Sequence, residues 1–381
     1  MPDPRLLVSV EGEPLEQNML ALLTRIEVRE SDADPTFLAL RFNASQSPDG
    51  EFSPLDEGVF LPSAKVTVQI EAPGGTTMHL FAGFITHVRP HFEIVESNAY
   101  VEVLAMDAAV LLAAEERVEA YPDQTDKDVV DKVFSRYQIS VQGDSTGTRH
   151  EEKKQLLVQR GNDWDLVQRL ARRNGFVCYL EPDPQSGDVK AYFRPRAVKD
   201  TPQPDLTVLR DDPNLKWLDL QVTTSGPAKV KGAAIDPIGK RIVRADGSPK
   251  LDPLGEKLLG DDLESKLKQA GATGSVGLLR DPSPAEAAIA EEGAAATDRA
   301  QFAVEARGEV DTTLYRGLLR ARRPVLIKGV GRMFAGVYYV RAVRTTVDEG
   351  LISQTFVAER NALGLSGKED FGQSAEEVPP Q

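Results

Sequence analysis

The chain holds a single cysteine, Cys178, in 381 residues, so no disulfide can form within it and a disulfide-built secreted fold is excluded. It contains no run of about 18 consecutive apolar residues, so no membrane-spanning helix is predicted. It opens on Met1-Pro2-Asp3-Pro4-Arg5 and passes straight into a strand-like segment, without the basic and apolar regions of a signal peptide. Synthesis is therefore expected in the cytoplasm. Basic residues are also scarce: 45 Lys and Arg against 59 Asp and Glu leave a net charge of −14. Such a surface repels phosphate backbones and acidic membranes, which argues against tight nucleic-acid binding and direct membrane insertion.

What remains is an ordinary globular mixture, 41% hydrophobic and 27% charged. The length exceeds the ~250–300 residues at which a single core stops growing, so more than one domain is expected. Period-two alternation marks strands in the first hundred residues: Leu6, Val8 and Val10; Ile26 and Val28; Val66, Val68 and Ile70; Val101, Val103 and Ala105. Ser47-Pro48-Asp49-Gly50 and Ala72-Pro73-Gly74-Gly75 separate them as turns. Short strands so punctuated predict a barrel or sandwich.

Helical signals follow. Thr125-Asp126-Lys127-Asp128 reads as a capping box before Val129, Val130, Val133, Phe134 and Tyr137. Asn162 can cap a second helix whose apolar face is Trp164, Val167, Leu170 and Ala171, with Asn174-Gly175 as its left-handed stop. The strands Phe176 to Leu180 and Val189 to Phe193 complete an α+β middle region, and strand character returns at Leu206 to Leu209 and Leu215 to Val222. From Asp246 to Pro284 the composition shifts to Gly, Asp, Pro and Lys, as in an inserted loop, and Ala285 to Arg307 reads as a helix. Val325 to Ile327, Val337 to Val340 and Leu351 to Val357 are predicted strands, and a polar tail from Gly364 is expected to be mobile.

One internal similarity stands out. Phe81-Ala82-Gly83 and the residues after it resemble Phe334-Ala335-Gly336 and its sequel, each following a β-rich segment. The pair reads as the trace of two related β-domains, with the two segments as equivalent hairpins and each glycine permitting a bulge or bend.

Motifs with catalytic associations are weak. Gly143-Asp144-Ser145-Thr146-Gly147 fits G-x-S-x-G, but the strand before it is short and a charged segment rather than a helix follows. Lys328 to Phe334 is glycine-rich yet lacks both phosphate-binding patterns and reads as a hairpin turn. Of His79, His87, His91 and His150, only His87 and His91 are near in sequence; an unbroken strand would hold them ~13 Å apart, and Pro90 is expected to break it. The pairs Glu115-Glu116, Asp211-Asp212 and Asp261-Asp262 read as solvated residues, and Trp164 as core. No catalytic, cofactor or metal residue is assigned.

Three segments together resemble a known family: Val101 to Ala108 with Thr125 to Val130; Asn162 to Phe176; and Val325 to Val340 with Thr355-Phe356-Val357 and Asn361. They look like the phage late-control gene D proteins, relatives of the T-even phage central baseplate hub and of the hub portion of VgrG-type spikes, over roughly residues 1–362. The resemblance implies a non-enzymatic tail hub with two related β-barrels per chain. It implies a homotrimeric ring that joins a hexameric tail tube, or a tube-initiator protein, to a spike among other baseplate proteins, within a contractile phage tail or phage-like injection particle. VgrG-type chains continue into the spike itself, whereas this sequence stops soon after the second barrel, so the resemblance implies a separate spike protein.

The expected fold is thus α+β and mainly β: two related β-barrel domains, an α/β domain between them and a helical and loop insertion. The expected boundaries are 1–110 for the first barrel and 111–205 for the middle domain. The second barrel takes 206–245 and 308–362, the insertion 246–307 and the mobile tail 363–381. Two rival readings are a wall-degrading or esterase-like hydrolase using Ser145, and an adaptor for effector cargo tethered through the tail.

Overall fold

A computed structural model describes residues 5–71, 77–93, 98–153, 156–209, 212–223, 227–236, 238–272, 274–280, 282–283, 285–315, 317–348, 350–367 and 369. The Ala72–Gly75 turn, Asp211 and the tail beyond 369 lie outside these.

The first half contributes six strands: β1 (Arg5–Val10), β2 (Leu23–Ser31), β3 (Phe37–Asn43), β4 (Lys65–Glu71), β5 (Thr77–His91) and β6 (Tyr100–Met106). Alternation sets one face of each inward, and Val8, Ile26, Leu40, Val66, Phe81 and Val103 meet in one core. Burying a side chain such as Leu40 fully stabilises the fold by roughly 1.5–3 kcal/mol. Pro90 does not end β5, contrary to expectation. It pairs with Val101 of β6 and loses nothing there, because an edge tolerates a missing donor.

In the middle region the capping signals act as read. The Thr125 hydroxyl accepts from the Asp128 amide at 3.2 Å, and the Asp128 carboxylate accepts from the Thr125 amide at 2.9 Å, opening helix α1 (Asp126–Ser135). Asn162 Oδ1 accepts from Asp165 N at 2.8 Å to open α2 (Asp163–Asn174), and Gly175 closes it at φ 73°. The buried face of α2 is Leu166, Val167, Leu170 and Ala171; Trp164 is only half-buried at its rim. Strands β7 (Phe176–Pro182) and β8 (Val189–Pro195) pair antiparallel beneath these helices.

The second half begins with β9 (Gln203–Thr207) and β10 (Leu215–Val222). The chain then leaves the main sheet. β11 (Lys229–Asp236), β12 (Arg241–Gly247), α3 (Leu259–Gln269), β13 (Val276–Leu278) and α4 (Glu286–Gln301) follow, the three strands forming a sheet of their own. This excursion starts ahead of the Asp246 expected from composition, because β11 and β12 alternate like main-sheet strands yet pair with each other, and β11 with β13. It also contains α3 where only a loop was expected. Its helix α4 packs on β12 through two glycines: a Cβ on Gly247 would stand 1.9 Å from the Gly293 carbonyl carbon. Gly293, unfavourable within a helix, is favoured here by the close approach, since a Cβ on it would stand 3.1 Å from Gly247 Cα.

The second half resumes with β14 (Val304–Val310), β15 (Pro324–Lys328), β16 (Gly336–Asp348) and β17 (Leu351–Arg360). The expected helix to Arg307 ends at Gln301, since Val304, Ala306 and Val310 turn into the core as alternate residues of β14.

The two halves share one topology. The first runs β2-β3-β6-β5-β4-β1 across the sheet and the second β10-β14-β17-β16-β15-β9, the same order for strands taken in the same sequence. The match fails in direction at one place: β9 pairs parallel with β15, whereas β1 pairs antiparallel with β4. The shared strand order supports two related units, but the Phe81 and Phe334 segments are not the equivalent hairpins expected: Phe334 ends a short helix, and the two segments stand two residues out of register. Phe81 faces Val68 and Gly83 faces Val66, while Gly336 faces Ile327 and Tyr338 faces Val325, so the counterpart of Phe81 is Gly336.

Barrel closure by strand pairing is not found among the described residues. The halves join instead through an antiparallel β16–β2 seam into one 13-stranded sheet, counting the two-residue strand Glu13–Pro14 beside β1, and each half has its own core. Between β9 and β10, among the described residues, Asn214 bridges, donating from N to Thr207 O at 3.1 Å and accepting at Oδ1 from Thr207 N at 2.8 Å.

Candidate functional site

The chemistry-bearing residues singled out in the sequence do not converge. Ser145 is exposed in the loop after Gly143, with a short strand at Arg149–His150 where an elbow needs a helix. His150 is buried and committed elsewhere: its Nε2 lies 2.7 Å from Asp126 Oδ1, and Asp126 also accepts from Arg173 Nε at 2.7 Å. This cluster ties the start of α1 to the end of α2. Burial would raise the Asp126 carboxyl, and the hydrogen bonds from His150 and Arg173 outweigh it, holding the pKa below the ordinary value.

His79 faces Gln69, His91 pairs with Glu93 at 3.1 Å, and His87 is exposed. Among the described residues no three His, Cys, Asp or Glu side chains gather as a metal site. Gly329 and Gly331, at φ 81° and 75°, turn the chain between β15 and β16. Glu115 pairs with Arg117, and Asp262 pairs with Lys257. Two small cavities, of about 10 and 20 Å³, fall far below the ~300–1,000 Å³ usual for small-molecule pockets.

The concentrated electrostatics lie where the two halves and the middle region meet. In the segment Arg320-Ala321-Arg322-Arg323 leading into β15, the first three residues are almost wholly buried and Arg323 is half-buried. Arg320 Nε donates to Glu30 of β2 at 2.9 Å, and its Nη2 lies 3.3 Å from Glu181 of β7. Arg323 reaches Glu181 at 2.7 Å. Arg322 donates to Ser31 O at 2.8 Å and Thr36 Oγ1 at 2.9 Å, with its guanidinium 4.5 Å over the Tyr179 ring. Burial would raise the Glu181 carboxyl, but the three guanidiniums more than offset it and lower its pKa. Arg196, buried beside Tyr339, similarly bridges Asp32 at 3.2 Å and Glu359 at 3.1 Å. These charges are a rigid clamp on domain geometry rather than a reactive centre.

Sequence reasoning missed this segment. Its signal was a run of three arginines in four residues within an acidic chain.

Several main-sheet edges are open among the described residues, among them that of β9, which pairs only with β15. Strand β10 pairs only with β14, leaving its outer edge free. Strand β5 meets β4 only as far as Phe84, so Thr86–His91 pairs with β6 on one side alone. Near these edges Trp217 is 43% and Phe92 52% exposed. The molecule thus offers open strands and a rigid frame, the features of an assembly component.

Known structures share this frame. The 43 kDa tail protein of prophage MuSo2 from Shewanella oneidensis superposes with a TM-score of 0.65 at 14% identity, over 94% of this chain and 99% of that one. A tail protein from Neisseria meningitidis MC58 follows at 0.62 and 12%, over 95% and 98%. The E. coli c3393 protein, a component of the type VI secretion system with structural similarity to T4 tail proteins gp27 and gp5, gives 0.55 and 15%, over 93% and 76%. The fold is that of tail proteins. Residues 5–349 match the Alg8 N-terminal domain family, and the chain belongs to that family. No curated protein matches it.

Proposed function

We propose that the chain is a non-enzymatic structural hub of a contractile tail or phage-like injection particle, related to the late control gene D and VgrG-type hubs. Three copies form a ring that joins a hexameric tail tube, or its initiator, to a spike and neighbouring baseplate proteins. The observation that carries this reading is the duplicated six-strand unit. Two similar units per chain, repeated in three chains, present six comparable positions to a six-fold tube.

The domain plan belongs to the same proposal: halves at 1–110 and 206–362, a middle domain at 111–205 and an insertion within the second half. The buried arginine clamp supports it, since a ring bearing load between tube and spike needs its units fixed relative to one another. No helix among the described residues is long and apolar enough to cross a membrane, in keeping with a particle component. The hydrolase reading through Ser145 gains nothing from the geometry, because His150 is locked to Asp126.

Electron microscopy of the assembled particle tests the proposal. Three copies of the chain around the tail axis, between tube and spike, are expected. Any other copy number, or a position off the axis, refutes it.

A further inference from the structure

The excursion between β10 and β14 builds a sheet with one covered face and one bare one. Helix α4 covers the first: Val230 N donates to Thr297 Oγ1 at 2.9 Å, a Cβ on Gly232 would run into Ile289, and Gly247 meets Gly293. Strand pairing defines the second. Ile235 lies opposite Ile242 and Lys231 opposite Asp246, and β13 sets Leu278 beside Lys231. Partners across a ladder share a face, and Arg244, two residues on from Ile242, joins them. Ile235 is 71%, Ile242 58% and Leu278 76% exposed, so this face is bare among the described residues. Parallel pairs such as β11 and β13 occur mainly in sheets covered on both faces, which marks the bare side as one that lacks its layer.

Charge sets the same region apart from the rest of the molecule. The hairpin 229–247 holds five basic and two acidic residues, a net charge of +3 in a chain whose total is −14. Lys231 pairs with Asp246 at 2.9 Å and Lys229 with Glu264 at 3.0 Å. Lys240 and Arg244 are exposed and have no ion-pair partner among the described residues. The bare face is therefore apolar at two ends, Ile235 with Ile242 at one and Leu278 at the other, with Arg244 and Lys231 between them.

We propose that this face docks an acidic amphipathic helix of a second protein. From Ile242 to Leu278 is four residues along the strands and two strand spacings across, roughly 16 Å. That is the length of about three helical turns. A helix with one apolar stripe covers both apolar ends, and carboxylates flanking the stripe meet Arg244 and Lys240, which the chain itself leaves unneutralised. Single-stranded nucleic acid fits the face poorly, because no aromatic side chain lies among its paired residues to stack a base. An acidic lipid surface fits poorly too, since Leu278 lies away from the hairpin tip and the rest of the chain repels acidic headgroups. The docking face is independent of the hub reading above, and either stands if the other fails.

The probe is a fluorescent synthetic helix of about four turns, with leucines in one stripe and glutamates flanking it, titrated with the full-length chain and read by anisotropy. Saturable binding that weakens with added salt is expected. Ile235→Thr/Ile242→Thr keeps the β-branching, and Lys240→Glu/Arg244→Glu reverses the free charges; each should weaken binding about tenfold or more. All four side chains are exposed, so both variants should keep the wild-type urea midpoint. Equal binding of a peptide with the same composition but scattered leucines reduces the contact to bare charge attraction and overturns the proposal. So does binding that neither variant weakens, or no binding at all. Variant-sensitive binding to phosphatidylglycerol vesicles in place of the peptide assigns the face to lipid. Self-association of the chain that Ile235→Thr/Ile242→Thr abolishes, read by sedimentation, assigns it to a second copy. Either result also overturns the helix-docking proposal.

Discussion

Removing Arg320 should show that the three-way junction holds the molecule together. Arg320 is 5% exposed and balances two carboxylates, Glu30 and Glu181, that are themselves almost wholly buried. Arg320→Met keeps the length of the side chain and removes only the charge and its donors. Glu181 keeps Arg323 at 2.7 Å, whereas Glu30 loses its guanidinium partner and stays in a site closed to water. Breaking one side of a buried ion pair costs about 3–5 kcal/mol, mostly as the penalty of the charge left behind. Arg320→Met should therefore lower the urea midpoint strongly, read by the fluorescence of Trp164 and Trp217. The double variant Arg320→Met/Glu30→Gln should recover most of the loss, because no uncompensated charge remains. A single variant within about 1 kcal/mol of wild type refutes the reasoning, since surface pairs contribute only that much. So does a double variant as unstable as the single.

Asp107, fully buried while accepting from the amides of Thr36 at 2.6 Å and Ala109 at 2.9 Å, has its pKa pushed up to about 6 by burial. Its native form holds the proton more tightly than the unfolded chain, so its contribution is fully present below about pH 4 and lost as pH rises through 6, roughly 3 kcal/mol at most. Asp107→Asn should flatten that part of the stability–pH curve; an unchanged slope between pH 4 and 6 would show that another group titrates there. Gly247→Ala should push α4 off β12 and cost at least the ~1–3 kcal/mol of an overpacked core, seen as faster hydrogen exchange in β12 and α4. Wild-type exchange rates would contradict the tight approach. With a net charge of −14, the chain should bind duplex DNA no more tightly than non-specifically at physiological salt, measured by fluorescence anisotropy; micromolar affinity would overturn this.

Local physics made much of this fold legible in the sequence. Alternation located β1, β2, β4 and β6 because a half-buried strand must present every second residue to a core. Thr125, Asn162 and Gly175 marked the ends of α1 and α2 because capping is settled within four residues of chain. Composition and the internal similarity pointed to a duplicated, β-rich, acidic chain. Only the tertiary structure decided the rest. The duplication's register slipped by two, since a two-residue shift keeps every side chain on its face and the alternation cannot detect it. Strands β11 and β12 alternate as main-sheet strands do, yet they pair with each other, and β11 with the remote β13; pairing is a property of two segments rather than one. The run from Arg320 to Arg323 reads as surface by its charge. Arg320 and Arg322 are buried, and Arg323 half-buried, because Glu30, Ser31 and Glu181, far away in the chain, converge to neutralise and bond them. The seam between β16 and β2 joins residues over 300 positions apart, and nothing local to either strand announces it. Periodicity tells a strand which face to bury; only the assembled sheet tells it which edge to offer.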